Sequence, residues 1–396
     1  MKKEKETPLY FNASVLIGDI LYFTAANSVW LYALHLEDGK IVPEIKLPCQ
    51  TEGFAKFSSL IHYSGKIWMV PWDERDFMIY DMEQKAVVKL PLPKPLSVKE
   101  GNRGIIFRKA VKQDNILWLL PSFDKFIVKI DMEKISCEIF GKWAEKVAFD
   151  EEKVMNFKCL YAYGKNLYLF ADGCKSNLVF DTETCEVRIW GSESCHAFGA
   201  VSNGTVYLSP VKSFDCIKKV FVLPTDKGKE TCQIKLPDEI WEKEDPYAYW
   251  YSEVINGKIY FLPHTANAII IMDMLSEKID ILPLKVEGYQ TLREYKGYAG
   301  YEVIPYQGGT VITSTGNAVL IEKDGRIVKE YLLKMPDVKQ PKDLEVQRFI
   351  DQFVEREIIG WSKVTSDMDY QAEVDIMGQS GTIGISIYET LAGKEE

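Results

Sequence analysis

The sequence predicts an all-β protein made of seven similar units, each a four-stranded antiparallel sheet. Three observations carry this. First, residues 249–273, YWYSEVINGKIYFLPHTANAIIIMD, read as strand, tight turn, strand, loop, strand. Asn256-Gly257 is a strong hairpin signal, because a type I′ turn needs positive φ at both central residues. Pro263 closes the second strand, since proline has no N–H for the ladder. Second, this pattern recurs with a period of roughly 50 residues, longer than a helical repeat. Third, the copies agree at fixed offsets. An aromatic marks the second strand at Tyr22, Trp68, Trp118, Tyr168, Tyr207 and Tyr260, with Ile312 in the last copy. Eleven residues upstream stand Phe11, Phe57, Phe107, Phe157, His196, Tyr249 and Tyr301. Thirteen residues downstream stand His35, Asp81, Asp131, Asp181 and Asp273, and Pro71, Pro121, Pro210 and Pro263 follow the anchor by three.

Taken in order, the units cover about 9–48, 54–91, 104–140, 155–190, 196–237, 248–283 and 298–334. In the second, 57–63 is the first strand, 67–70 the second, 77–80 the third and 86–90 the fourth. The third strand ends on Asp81, and a short polar link leads into the fourth. Fourth strands commonly close with Leu-Pro, as at Leu47-Pro48, Leu90-Pro91, Leu236-Pro237 and Leu282-Pro283. A four-stranded sheet that is apolar on both faces needs a neighbour on each side, and radial repetition supplies both. How the first and last units are joined is not evident from their residues.

The remaining residues, 335–396, form a C-terminal extension. Residues 341–359, PKDLEVQRFIDQFVEREII, predict an amphipathic helix: Pro341 suits a first turn, and Leu344, Phe349, Phe353 and Val354 fall near one face. Residues 385–391 are a second short helical candidate. These helices would pack against the sheets or dock a partner.

With four short strands per copy, residues 9–334 resemble the seven-bladed β-propeller superfamily at the level of architecture. The only Trp-Asp pair, Trp72-Asp73, follows a second strand, which is not the WD40 arrangement. Kelch paired glycines occur only at Gly308-Gly309, and Ser122-Phe123-Asp124 and Ser213-Phe214-Asp215 lack the glycine and aromatic of an Asp box. The resemblance implies a central channel lined by the first strand of each blade. It also implies a top face on which the fourth-to-first and second-to-third connections gather.

Composition bounds the function. Hydrophobic content of 46% and charged content of 27% suit a soluble globular chain. The net charge of −10 opposes a phosphate-backbone partner, so no nucleic acid is expected. No signal-peptide core or membrane span is legible, and none of the eight cysteines forms a CxxC pair. A cytoplasmic location with reduced thiols is therefore expected. No catalytic, cofactor or metal motif is present, so cofactors are expected to be none.

The candidate site is a column that varies while its neighbours do not. The residue after the first-strand aromatic is Asn12, Ser58, Arg108, Lys158, Ala197, Trp250 or Glu302. Equivalent positions of a ring lie on one circle. Arg108, Lys158, Trp250 and Glu302 are therefore expected to converge at the channel mouth, bordered by Arg75, His264, Arg293 and Tyr298 from top-face loops. Tyrosines and tryptophans at 241, 247, 249–251, 289, 295, 298 and 301 would add amphipathic contact area. The function expected from these residues is a non-catalytic binding or scaffold propeller for a protein, peptide or glycan partner. The alternative is a carbohydrate-active lyase or hydrolase using carboxylates such as Glu253 and Glu302.

Overall fold

The computed structural model describes residues 8–49, 56–72, 74–92, 107–121, 124–147, 156–172, 177–190, 199–209, 216–221, 229–236, 249–263, 266, 268–283, 300–314, 318–334 and 364–366. They form two compact units. One combines Met1–Phe11 with Val147–Met335, the other Asn12–Lys146 with Pro336–Glu396.

The second unit carries three sheets. The first has β1 (Phe11–Ile17), β2 (Ile20–Ala25), β3 (Trp30–His35) and β4 (Ile41–Lys46). The next has β5 (Phe57–Tyr63), β6 (Lys66–Pro71), β7 (Asp76–Asp81) and β8 (Ala86–Pro91). Then come β9 (Phe107–Gln113), β10 (Ile116–Pro121), β11 (Ile127–Asp131) and β12 (Ser136–Phe140). The other unit carries four sheets. They are β13 (Asn156–Tyr163), β14 (Asn166–Asp172), β15 (Asn177–Asp181) and β16 (Val187–Trp190); β17 (Gly199–Ser202), β18 (Thr205–Leu208), β19 (Cys216–Phe221) and β20 (Lys229–Lys235); β21 (Tyr249–Ile255), β22 (Lys258–Pro263), β23 (Ala268–Asp273) and β24 (Ile279–Pro283); and β25 (Gly300–Tyr306), β26 (Gly309–Ser314), β27 (Ala318–Lys323) and β28 (Arg326–Leu332). Each sheet runs in chain order, strand beside next strand, as a meander.

Seven four-stranded sheets were expected, and six take that form. The β9–β12 sheet is the exception, with a fifth strand, β29 (Val364–Ser366), laid parallel on β12. Its three residues are too few to show a periodicity in the sequence. The expected helices at 341–359 and 385–391 lie outside the described residues, and what is described of the extension is this strand. Among the described residues the only helical element is a 3₁₀ turn at Lys142–Lys146.

Two local devices repeat. The hairpins between first and second strands turn on residue pairs with positive φ, as at Ser64-Gly65, Asn203-Gly204, Asn256-Gly257 and Gln307-Gly308. Third and fourth strands are joined around the aspartate column. Asp81, Asp131, Asp181 and Asp273 each accept two backbone N–H groups, from the residues two and three positions on. Four positions on, Lys85, Ile135, Cys185 and Glu277 adopt left-handed φ, with Gly39 at the same place after His35. The aspartate is there because its short carboxylate satisfies N–H groups the tight turn leaves unpaired.

The core sits at the seams between consecutive sheets. Phe57 packs among β1–β4 and β5–β8 residues with Tyr22, Leu31 and Met78. Phe107 packs with Trp68 and Phe77 of the sheet before it, its ring 6.0 Å from that of Phe77. Tyr249 packs with Tyr207 and Ile217, and Tyr260 with Ile312 and Leu320. At these seams the first-strand aromatic faces the preceding sheet and the second-strand aromatic faces the following one. Phe57, Phe107 and Phe157 are all 1% exposed or less.

Candidate functional site

The variable column coincides with a β-bulge. In β5, Phe57 opposes Pro71 but Ser59 already opposes Val70, so Ser58 is an extra residue. The same irregularity lies at Arg108-Lys109 in β9, Lys158 in β13, Trp250 in β21 and Tyr301 in β25. A bulge bends its strand and re-aims a side chain without breaking the sheet. Five sheets therefore carry an extra, unpaired residue at the start of the first strand, and the residue type differs in each.

The seventh copy corrects the sequence alignment. Elsewhere the second-strand aromatic follows the second turn residue by three, as Trp68 follows Gly65 and Tyr260 follows Gly257. Counting from Gly308 gives Val311, not Ile312. Ile312 instead faces the preceding seam, packed with Tyr260. The bulged residue is accordingly Tyr301, and Glu302 lies one place further on, opposite Thr313. The missing aromatic in β26 left the sequence without an anchor there.

Asn12 has work in the fold, as does Ser59, the neighbour of the column member Ser58, whose own buried Oγ has no hydrogen-bond partner. Asn12 is 4% exposed, and its Oδ1 accepts the N–H of Phe57 at 3.1 Å, tying one first strand to the next. Ser59 Oγ likewise accepts the N–H of Ala110 at 3.2 Å. Arg108 differs. Its guanidinium carbon lies 5.1 Å from the centre of the Trp72 ring, and its Nε is buried without a hydrogen-bond partner. Trp72 is itself fixed through its backbone N–H, which donates to the backbone carbonyl of Lys56 at 2.8 Å. A guanidinium against an indole face keeps its remaining donors in a fixed plane.

The structure also gathers a charged cluster that the sequence reading missed. Lys56, Glu74 and Lys89 are buried at 6%, 1% and 6% exposure. Lys56 Nζ donates to Ala26 O at 3.2 Å, bridging two sheets of one unit. Lys89 Nζ is buried with no hydrogen-bond partner, and burial lowers its pKa against the pull of Asp76, Glu74 and Cys49. Burial raises the Asp76 carboxyl, Lys89 opposes that, and Glu74 adds to it. Burial, then the Glu74 charge, pushes the Cys49 thiol up to about 12. Burial therefore favours the thiol form of Cys49. The legible signal was Lys89 itself, one charge inside the buried run Ala86-Val87-Val88-Lys89-Leu90.

Of the other expected site residues, Arg75 is exposed in the loop before β7 and Glu302 is half-buried in β25. Lys158 and Trp250 are placed by their backbones in β13 and β21. His264, Arg293 and Tyr298 lie outside the described residues. Tyr249 and Tyr251 are core residues, and the Tyr249 hydroxyl donates to Ala268 O at 3.0 Å. Among the described residues no cluster of histidine, cysteine and carboxylate side chains could hold a metal ion, and Cys49, Cys137 and Cys185 form no disulfide.

No family model matches the chain, and no curated protein does. The solved structures similar to it include three of TM-score 0.50 or more. A catalytically inactive virginiamycin B lyase from Staphylococcus aureus, with Quinupristin, shares 13% identity over 80% of this chain and 94% of that one, with a TM-score of 0.55. The β-propeller domain of Myceliophteria thermophila Cps50 (Swd1) shares 8% identity over 78% and 96%, with a TM-score of 0.52. The computationally designed Ika8 protein shares 11% over 86% and 92%, with a TM-score of 0.50. With the sheet order above, the chain has the β-propeller fold, built of four-stranded antiparallel blades. No described helix is long and apolar enough to cross a membrane.

Proposed function

We propose that the protein is a non-catalytic cytoplasmic binding propeller that closes as a ring of seven sheets and recognises a protein, peptide or glycan partner at its channel mouth. The observation that carries this reading is the repeated bulge: a structurally equivalent position with a different side chain in each sheet is how a ring reads a ligand. Arg108, Lys158 and Trp250 occupy that position, and Tyr301 replaces Glu302 in it. Glu302, Arg75, His264, Arg293 and Tyr298 border the mouth in this reading. Arg108 supports it most directly, because its guanidinium lies on Trp72 with a buried Nε unspent. Local positive charge favours an anionic or polyhydroxylated ligand even on a chain of net charge −10. Ring closure is supported by the segment before β1, where Leu9 N–H donates to Leu333 O at 2.9 Å and Pro8 bridges Lys334 beyond β28.

The test is a glycan and peptide array probed with the wild type and with an Arg108→Ala/Trp250→Ala double variant. The expected result is loss of the wild-type signals at a melting temperature within about 2 °C of wild type. An unchanged array pattern from the folded double variant assigns the column to structure alone.

A further inference from the structure

We infer that the β1–β4 and β5–β8 sheets hold between them a binding site for a small monocarboxylate, anchored on the Lys89 ammonium. Lys89 breaks the repeat. It stands opposite Met78, three residues before Asp81. The same place in three other sheets, opposite the residue three before Asp131, Asp181 and Asp273, holds Ile139, Ile189 and Ile281. An isoleucine therefore suits this position in a blade, and a lysine there costs desolvation. Met78 packs in the seam with the β1–β4 sheet, and residues opposite each other in a ladder share a face, so Lys89 faces that seam too. Its Nζ is buried without a hydrogen-bond partner, on a residue 6% exposed. A local rule broken with no bond gained in the fold marks a position kept for another purpose.

The groups around Lys89 come from both sheets, within one compact unit, and meet at one end of them. They are Cys49 after β4, Lys56 before β5, Glu74 and Arg75 between β6 and β7, and Asp76 at the start of β7. Two are fixed in place. Lys56 Nζ donates to Ala26 O at 3.2 Å, and the backbone N–H of Glu74 donates to Lys56 O at 3.3 Å. Asp76, Glu74 and Cys49 act on Lys89, Arg75 acts on Asp76, and Lys56 acts on Cys49. Lys56, Arg75 and Lys89 thus set three positive charges against the two carboxylates of Glu74 and Asp76, a surplus of one.

The chemistry of the ligand follows from that surplus. An unspent ammonium needs acceptor oxygens, and one carboxylate supplies both the acceptors and the single balancing charge. A phosphate dianion would exceed the balance and be repelled by Glu74 and Asp76. Lys56, Glu74 and Lys89 are all enclosed, which keeps the ligand small. The way in runs past Asp76 and Cys49, which are half-buried, and exposed Arg75 stands beside it to draw in an anion.

The test uses the full chain, with sodium acetate as the probe and sodium chloride and sodium phosphate at equal ionic strength as controls. Lys89→Ile restores the residue of the other sheets. At about 100 mM acetate, the wild type is expected to melt about 3 °C or more above its value in chloride. Lys89→Ile is expected to melt higher than wild type in chloride and to gain nothing further from acetate. No acetate-specific rise in the wild type overturns the inference, and so does an equal rise in the two proteins, which puts acetate elsewhere. A rise in phosphate as large as in acetate overturns the carboxylate assignment. A Lys89→Ile chain that fails to fold, or melts below wild type, shows that the ammonium belongs to the fold and overturns it as well. None of these results bears on the channel mouth, which the array tests separately.

Discussion

Asp131 shows what one side chain contributes to this fold. Its Oδ1 accepts the N–H groups of Glu133 and Lys134 and the side-chain amide of Asn115, each at 3.0 Å. Burial pushes its carboxyl up, but these bonds and the Lys134 charge hold it below the usual range. Asp181 behaves alike, and Asp273 is lowered chiefly by Ser276. A carboxylate whose pKa is depressed in the fold stabilises it above the unfolded value near 4, and that stability is lost as pH falls through the lower folded value. Urea unfolding should therefore lose midpoint steadily as pH drops below about 4. Asp131→Ala should cost about 1–2 kcal/mol at pH 7 and flatten that acid limb, since its bonds to the turn are gone. An acid limb as steep as wild type's would show that the aspartate column does not carry it. Lys89 makes the opposite case. Its buried ammonium has no hydrogen-bond partner, so Lys89→Met should raise stability by about 1 kcal/mol. A loss above about 2 kcal/mol in chemical denaturation would show instead that Asp76 and Glu74 need its charge.

At the scale of elements, two glycines separate backbone strain from collision. Gly257 has φ of 77° and open space where a Cβ would go. Gly257→Ala should therefore cost about 1–2 kcal/mol, from the left-handed backbone alone. At Gly309 a Cβ would collide with the carbonyl oxygen of Glu322, whose carboxylate already accepts bonds from Tyr260, Thr310 and Gly325. Gly309→Ala should cost more than Gly257→Ala in the same denaturation series; the reverse order would place β26 and β27 further apart than described. Trp118, 2% exposed with its ring 6.2 Å from Phe140, should cost about 3–5 kcal/mol when cut to alanine. These elements were legible because each copy repeats the same local chemistry: a turn with positive φ, an aspartate thirteen residues after an aromatic, an aromatic at each seam. What the sequence hid was of another kind. The bulges depend on pairing register, which two strands set together. The Lys56–Glu74–Lys89 cluster joins distant positions, and β29 pairs with a strand more than 200 residues before it. The site column was found by its variability, but its last member was misplaced by one residue, since Val311 offers no aromatic to align on.

At the scale of the whole molecule, the segment before β1 is where the proposed ring would close. Leu9 is fully buried, and its N–H is bonded to Leu333 O, although it precedes β1. A repeat array gains cooperativity when its ends are tied, because each seam is then stabilised by both neighbours. Leu9→Ala removes the buried side chain and leaves the backbone bond, and should cost about 2–4 kcal/mol. If the ring closes through this segment, the loss will appear as a lower midpoint in a single transition, with tryptophan fluorescence and far-UV circular dichroism moving together. If the segment only decorates the β25–β28 sheet, the two probes will separate. The early transition will then belong to the last sheet while the others melt at the wild-type midpoint, and the proposed seven-sheet ring would have to be given up.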